Sequence, residues 1–431
     1  MTTQPFTEVL SAAAATVAGQ HQPTGPAADL LVRLGYLDGA RESASHRASL
    51  LRAAAGFNRL FSLRSEDAPG LVALGAEVDA GCLGVGDAPT GGVSGTGMDF
   101  RRAFESCVGE AAEYIASFAT PDDCFQKLTD EQVPAPLQAL WRRLRPLRRD
   151  PAASHTDWAP AANLADGALV YLPADLCFRR PAEHRDIDPP WPLSTGCGAG
   201  ADPLDATLHG LLELIERDAT VLWLRGGMRG RIVPPGPGAS LLGQLRREAR
   251  RRSTWLLDIT TDVQVPVVAA VSCTDTGFGL CRGIACRPTL AAAADAALME
   301  LAQMELAYQL SAAKQRVRGA AALNEADRQH IRRYTTIDTA TTLAMQPMVP
   351  AATSCNVIAH DNIAILKAVR NRLKHVGVEV YAVNLTRPAL GIPVTRAFAP
   401  GLEMGLAAPP GPRLCAMAER SGADLSCPVA L

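Results

Sequence analysis

Several things are scarce or missing in this chain of 431 residues. Aromatic residues make up only 5% of it while alanine abounds, which points to helices packed through small side chains. No Lys or Arg precedes Arg33, and Glu8 lies near the start, so the positive region of a secretory signal is missing. The apolar run there is mostly alanine and too short for a bilayer, and it reads as an ordinary helix of a cytoplasmic protein. The 11 cysteines never form C-x-x-C, and the closest pair, Cys281 and Cys286, has no histidine at metal-site spacing. Reduced, mostly buried thiols fit them best. A formal net charge of −2 gives no global reason to expect nucleic acid or an anionic membrane. No G-x-x-x-x-G-K-[ST] loop and no protein-kinase motif set is present, so any nucleotide site is of another kind.

What is there is an ordinary globular composition, 48% apolar and 20% charged, long enough for two or three structural units. Residues 1 to about 60 read as helical, broken at Gln22-Pro23-Thr24-Gly25-Pro26. A Gly-rich extended stretch runs from Leu71 to Gly97, followed by a helix from Asp99 to Phe118. A helical Arg-rich segment, Leu140 to Arg149, leads to a boundary at Asp150-Pro151. Strand-like runs at Ala168–Leu172, Val265–Ser272 and Val378–Asn384 alternate irregularly with long helices. That order predicts an α+β fold of mixed sheets and packed helices, not a doubly wound sheet. Two Arg-dense stretches, Arg142–Arg149 and Arg246–Arg252, invite phosphate, but solvated helix faces are the preferred reading.

One pattern occurs twice and, more weakly, a third time. The first copy is Gly97, Asp99 and Ala103, then Ser106, Glu110 and Glu113. The second is Gly200, Asp202 and Ala206, then His209, Glu213, Glu216 and Arg217. The third keeps Ala293, Ala296, Glu300 and Gln303 at matching offsets. Each of the first two opens with a Gly-rich turn and an Asp suited to cap a helix. Positions three and four apart share a helix face. Ser106, Glu110 and Glu113 therefore make one polar ridge, and Asp205, His209, Glu213 and Glu216 another. Carboxylates set among Leu211, Leu212, Leu214 and Ile215 are costly if buried unpaired. Facing ridges of this kind suit a divalent cation, and Mg2+ takes a few carboxylates together with water and phosphates. Arg217 is placed to neutralise a phosphoryl group. The plainer alternative is an amphipathic helix with surface ion pairs.

These residues resemble the YcaO family. Ser194-Thr195-Gly196-Cys197-Gly198-Ala199-Gly200 through Glu213-Leu214-Ile215-Glu216-Arg217-Asp218-Ala219 looks like its central motif. Ser106-x-x-x-Glu110-x-x-Glu113 is similar to the first carboxylate motif, with Tyr114 where arginine is common, and Glu300-x-x-Gln303 to the third. Asn384-Leu385-Thr386-Arg387-Pro388, Gly391-Ile392-Pro393-Val394 and Pro400-Gly401-Leu402-Glu403 look like the family's C-terminal strand. The resemblance spans about residues 70 to 405 and implies an N-terminal helical region (1–65), a catalytic domain (66–405) and a tail (406–431).

It also implies chemistry: ATP phosphorylates a peptide amide oxygen. Attack by a Cys, Ser or Thr side chain then gives an azoline, and an external sulfur donor gives a thioamide. Carried over by position, Glu110, Glu113, Glu213 and Glu216 hold Mg2+. Ser106, Asp205, Arg217 and Gln303 meet ATP, and Glu213, Glu216 and Arg217 are the catalytic set. The implied partners are a ribosomally made precursor peptide and either an E1-like leader-binding protein or a TfuA-type protein, with no nucleic acid or membrane; a homodimer is left open. Ala201 stands where many relatives carry asparagine, and the chain ends Cys427-Pro428-Val429-Ala430-Leu431 in place of a P-x-P-x-P tail. Azoline formation is the leading expectation, thioamide formation the alternative, and an inactive scaffold presenting the precursor the alternative of another class. Of the remaining candidates, His209 reads as a supporting residue and Asp258 and Asp262 as turn residues. Arg282 and Arg287 read equally as phosphate ligands or surface groups. Cys197 is not expected to act as a nucleophile.

Overall fold

The computed structural model describes residues 6–426 apart from 21, 23, 38–43, 86, 87, 235, 237, 250 and 350–354. The C-terminal residues 427–431, where the tail comparison was made, and Pro23 of the expected helix break lie outside the described residues. The chain forms two compact units, each assembled from separate stretches. The first takes in the chain up to Leu63, Val72–Leu211 and Tyr381–Phe398; the second takes in Arg64–Leu71, Leu212–Val380 and the chain from Ala399.

The first unit opens with helices α1 (Phe6–Val17), α2 (Gly25–Leu34) and α3 (Ala44–Ala55). Strands β1 (Arg59–Leu63), β2 (Val72–Val78) and β3 (Gly91–Gly97) form an antiparallel sheet in that order, and α4 (Phe100–Ala116) packs on β3 and β2. Then come β4 (Gln126–Leu128), α5 (Gln138–Leu144), β5 (Thr156–Asn163), β6 (Leu169–Pro173), the short α6 (Ala174–Cys177) and β7 (Cys197–Ala199). The long α7 (Pro203–Leu224) begins in the first unit and ends in the second.

In the second unit β8 (Arg231–Ile232), α8 (Ala239–Arg246), β9 (Ser253–Asp258), β10 (Val267–Cys273) and β11 (Cys281–Cys286) follow. Their sheet runs β11-β10-β9-β8, antiparallel throughout. Every residue of β10, Val-Val-Ala-Ala-Val-Ser-Cys, is buried, as a central strand covered by the Ala-rich α9 (Leu290–Arg318) requires. α10 (Glu325–Thr336) packs on α9, and α11 (Asn362–His375) follows. The chain then re-enters the first unit through β12 (Tyr381–Asn384) and β13 (Val394–Phe398), completing a sheet ordered β4-β5-β12-β13-β7 with β6 on β5. The last helix, α12 (Pro412–Ser421), lays Leu414 against Val221 and Leu222 of α7.

The α+β class expected from the sequence is what the fold shows, and among the described residues the strand-to-strand pairings are antiparallel, with isolated parallel bridges at Arg231–Met348 and Phe118–Arg179. No helix among the described residues is long and apolar enough to cross a membrane.

In the arginine-rich stretches Arg142, Arg145, Arg149, Arg247 and Arg251 are exposed, as their composition suggests, but three others turn inward. Arg246 donates to Glu305 at 2.5 Å and Arg252 at 3.0 Å; the Glu305 side chain is fully buried and that of Arg252 only 2% exposed. Glu305 also accepts the Ser272 hydroxyl at 2.6 Å. A helix whose residues each carried a free charge would stay in water, but one buried carboxylate shared by two guanidiniums draws both inward. Arg148 is likewise buried and donates to Asp130 at 2.7 Å and to the Thr156 hydroxyl at 3.0 Å. Asp258 pairs with Arg231 at 2.9 Å, and Asp262 with Arg413 at 2.5 Å, so both have cationic partners.

Candidate active site

The repeated pattern is a strand laid flat on a helix. A Cβ placed on Gly95 of β3 would lie 2.1 Å from Cys107 N, and one on Gly198 of β7 would lie 2.3 Å from Ala206 O. On Gly283 of β11 it would fall 2.1 Å from Leu301 N. No side chain fits there, and glycine lets each backbone touch its helix. Each helix has its own cap at the matching position. Asp99 accepts Arg102 N at 2.8 Å, Asp202 accepts Asp205 N at 2.8 Å, and Thr289 accepts Ala292 N at 3.2 Å. The third of these, Thr289, extends the weak third copy beyond what its sequence shows.

Close packing brings glutamates within reach of strand amides. Glu110 Oε2 accepts Ser94 N at 3.0 Å, and Glu300 Oε2 accepts Ile284 N at 3.2 Å, the same bond in two copies of the pattern. Glu113 Oε1 accepts Ala199 N at 2.8 Å. Ser106 stands exposed one turn before Glu110. Glu110 keeps contact with solvent, yet burial of its carboxyl pushes it up to about 7, against the lowering effect of the Ser94 amide.

In the first unit a cleft of about 300 Å3 opens beside the Gly-rich turn, lined by Asp205, His209, Arg102, Glu105, His46 and Arg47 among others. Ala201 N donates to Asp205 Oδ2 at 3.1 Å. His209 Nδ1 lies 2.8 Å from the Ala199 carbonyl, which makes Nδ1 the protonated nitrogen, and its Nε2 is 3.6 Å from Asp205 Oδ1. His46 Nδ1 is buried with no hydrogen-bond partner, and burial pulls this histidine below its usual range. His46 and Arg47 belong to α3, far before the motifs. Nothing in their local sequence marks them, and only the packing of α3 brings them here.

The second unit holds the other acidic ridge. Arg217 Nη2 donates to Glu213 at 3.0 Å and its Nη1 lies 3.5 Å from Glu216. Glu216 is 6% exposed, and burial followed by the charge of Glu300 raises its pKa; burial raises that of Glu300 as well, against Arg217. Burial opposes the charge on Arg217, but Glu213, Glu216 and Glu300 outweigh it and hold the guanidinium protonated. Gln303 is half-buried on the same helix as Glu300.

Glu216 and Glu300, each pushed up by burial and facing Arg217 and Arg287, are the electrostatic complement of a divalent cation. In this respect the residues fit Mg2+. Among the described residues no group of three or more His, Cys, Asp or Glu side chains is arranged as a closed metal cage. Mg2+ needs none, since it binds through one or two carboxylates plus phosphates and water.

A family profile described as YcaO cyclodehydratase, ATP- and Mg2+-binding, matches residues 94–403. An uncharacterised protein of Rhizobium leguminosarum bv. trifolii, encoded in the tfuA 3' region, is 28% identical over 347 residues, covering 72% of this chain and 77% of its own. A heterocyclase solved in complex with substrate and cofactor superimposes with a TM-score of 0.68 at 22% identity, over 89% of this chain. This chain spans only 54% of that heterocyclase's length. A protein of Methanopyrus kandleri, solved with AMPPCP and Mg2+, gives a TM-score of 0.57 at 20% identity, covering 83% of this chain and 89% of its own. These likenesses at low identity establish the fold.

Proposed function

The chain belongs to the YcaO family of ATP- and Mg2+-binding cyclodehydratases, and from that membership we propose that it phosphorylates a backbone amide of a ribosomally made precursor peptide, driving azoline formation. The observation that carries this reading is the cluster of Glu213, Glu216, Glu300 and Arg217, with Glu216 buried and the other three half-buried, charged groups that an inert surface helix would leave apart in solvent. Glu110, Glu113, Glu213 and Glu216 are the proposed Mg2+ ligands. Bound Mg2+ supplies neutralisation of phosphate charge.

The chain's own residues do the rest. Arg217, kept charged by its acidic neighbours, contacts the transferring phosphoryl group. Ser106 contacts the phosphates, Gln303 lines the ATP site, and Asp205, which lines the first unit's cleft, contacts the nucleotide. The side-chain Oγ or Sγ of the peptide bonds to the amide carbon, and the amide oxygen takes the γ-phosphoryl group from ATP. Loss of that oxygen as inorganic phosphate, with a proton, leaves the azoline and ADP.

One observation favours a second product. The Rhizobium relative is encoded beside tfuA, which supports thioamide formation with a TfuA-type partner. An E1-like leader-binding protein is the partner of the first reading. Incubation of the chain, partner, precursor peptide, ATP and Mg2+ with mass analysis of the peptide separates them. Loss of water supports azoline formation; sulfur replacing oxygen supports the thioamide. No nucleotide binding by calorimetry, with the precursor still bound, would replace both with a presenting scaffold.

A further inference from the structure

The part of α7 that carries Glu213, Glu216 and Arg217 has a helix fastened to its other side. That helix, α12, begins at Pro412, beyond residue 403 where the family match ends. Its Arg413 takes hold of Asp218, the residue that follows Arg217. Arg413 Nε donates to Asp218 Oδ1 at 3.0 Å and Nη2 to Oδ2 at 2.9 Å, a two-pronged fork on one carboxylate. Asp218 is fully buried, and its Oδ1 also accepts Glu403 N at 3.0 Å. Glu403 in turn accepts Gly411 N and Leu414 N, each at 3.1 Å, and so holds the start of α12. On its outer side Arg413 Nη1 donates to Asp262 Oδ2 at 3.1 Å, in the connection between β9 and β10.

Further contacts run along both helices. Leu414 packs against Val221 and Leu222, and the Ser421 hydroxyl donates to the Gly226 carbonyl at 2.7 Å, just past the end of α7. Arg225 Nη1 donates to the Ala408 carbonyl at 2.6 Å. α12 is thus attached to α7 over the turns that follow Arg217.

At 3.6 residues per turn Asp218 lies about 200° round α7 from Glu216, so Arg413 holds the helix from the side opposite Glu216. On the Glu216 side the charge of Glu300, from α9, opposes ionisation of Glu216, and carboxylates that repel one another tend to swing apart. Apolar contacts are non-directional and let a helix roll by a fraction of a turn. A forked ion pair with a third hydrogen bond fixes both roll and axial position. Buried charge is not needed merely to join two helices, because apolar side chains of similar volume join them as well or better.

We infer that Arg413 is a positioning residue for the active site: through Asp218 it sets the roll of α7 and thereby the placement of Glu216 and Arg217. The inference rests on the proposed ATP and Mg2+ chemistry.

Calorimetric titration of the full chain with a non-hydrolysable ATP analogue in Mg2+ reads two quantities, the dissociation constant and the fraction of chains that bind. A pair that only holds the fold changes the second, whereas a positioning pair changes the first. Arg413→Gln is expected to weaken the analogue roughly tenfold among the chains that remain folded. Arg413→Lys, which keeps the charge but not the fork, should recover part of that loss. Arg420→Gln, on an exposed position of α12, should change neither quantity. If Arg413→Gln unfolds for want of a partner to Asp218, the double variant Asp218→Asn with Arg413→Gln, which removes both charges together, takes its place. A parent-like dissociation constant in every folded variant, whatever the fraction that binds, overturns the positioning role and leaves the ATP reading intact. An equal loss in Arg420→Gln overturns it as well, since any disturbance of α12 would then suffice. A parent chain that binds no analogue removes the ATP reading, and the positioning role falls with it.

Discussion

Glu216 and Glu305 are both buried carboxylates beside arginines, yet opposite consequences follow from neutralising them. Glu216 is crowded by Glu213 and Glu300 and has Arg217 as its nearest ion-pair partner, so Glu216→Gln removes a repulsion as well as a proposed Mg2+ ligand. The variant should stay folded while ATP turnover, followed as phosphate release, falls by roughly two orders of magnitude. Turnover equal to the parent would sink the metal assignment. Glu305 instead serves Arg246 and Arg252, and Glu305→Gln strands two cations in the interior. We expect a loss of about 3 kcal/mol or more in urea unfolding.

A third residue-scale effect concerns pH. Burial lowers His46 below its reference value of 6.5, so below that value the unfolded chain binds a proton that the native site resists. His46 therefore costs stability as pH falls through about 6.5, and nothing above it; His46→Gln should flatten that part of the stability profile. An unchanged slope would refute it. Of these residues, Glu216 was legible from its spacing. Glu305 and His46 were not, because their roles arise from contacts with residues distant in the chain, which no local pattern encodes.

At the scale of elements, the repeated strand-and-helix pair explains why the sequence could be read at all. Glycine, cap, alanine and glutamate sit within one local stretch, so their spacing survives as text. Gly95→Ala and Gly283→Ala would each drive a methyl into helix backbone about 2 Å away and should destabilise the chain by about 1–3 kcal/mol. Gly92→Ala, on the same strand as Gly95 but with open space around it, is the control. Equal unfolding midpoints for all three would mean that the helices are not held by these contacts. Thr289 was harder to see because the third copy has neither the aspartate nor, two residues before it, the turn glycine of the other two. The Arg246–Arg252 stretch was only partly legible for a related reason: composition records the charges but not the single buried carboxylate that gathers Arg246 and Arg252.

For the whole molecule, no sequence pattern announced that the first unit borrows Tyr381–Phe398 from beyond the second. A strand run was visible at Val378–Asn384, but pairing of β13 with β7, Thr395 opposite Gly198, is a long-range choice set by the core. A chain cut after Leu211 should therefore fail to reach a cooperative fold, since the edge that β13 occupies stays open. Near-ultraviolet circular dichroism of that fragment checks it, and a native-like spectrum would show that β12 and β13 are dispensable.

The same topology imposes an order of events on the ribosome. β7 is complete long before its neighbour exists, and at ordinary translation speeds roughly 10–40 s separate them. During that interval the edge of β7 is a template without a strand, so the nascent protein should depend on chaperone capacity more than its finished stability would suggest.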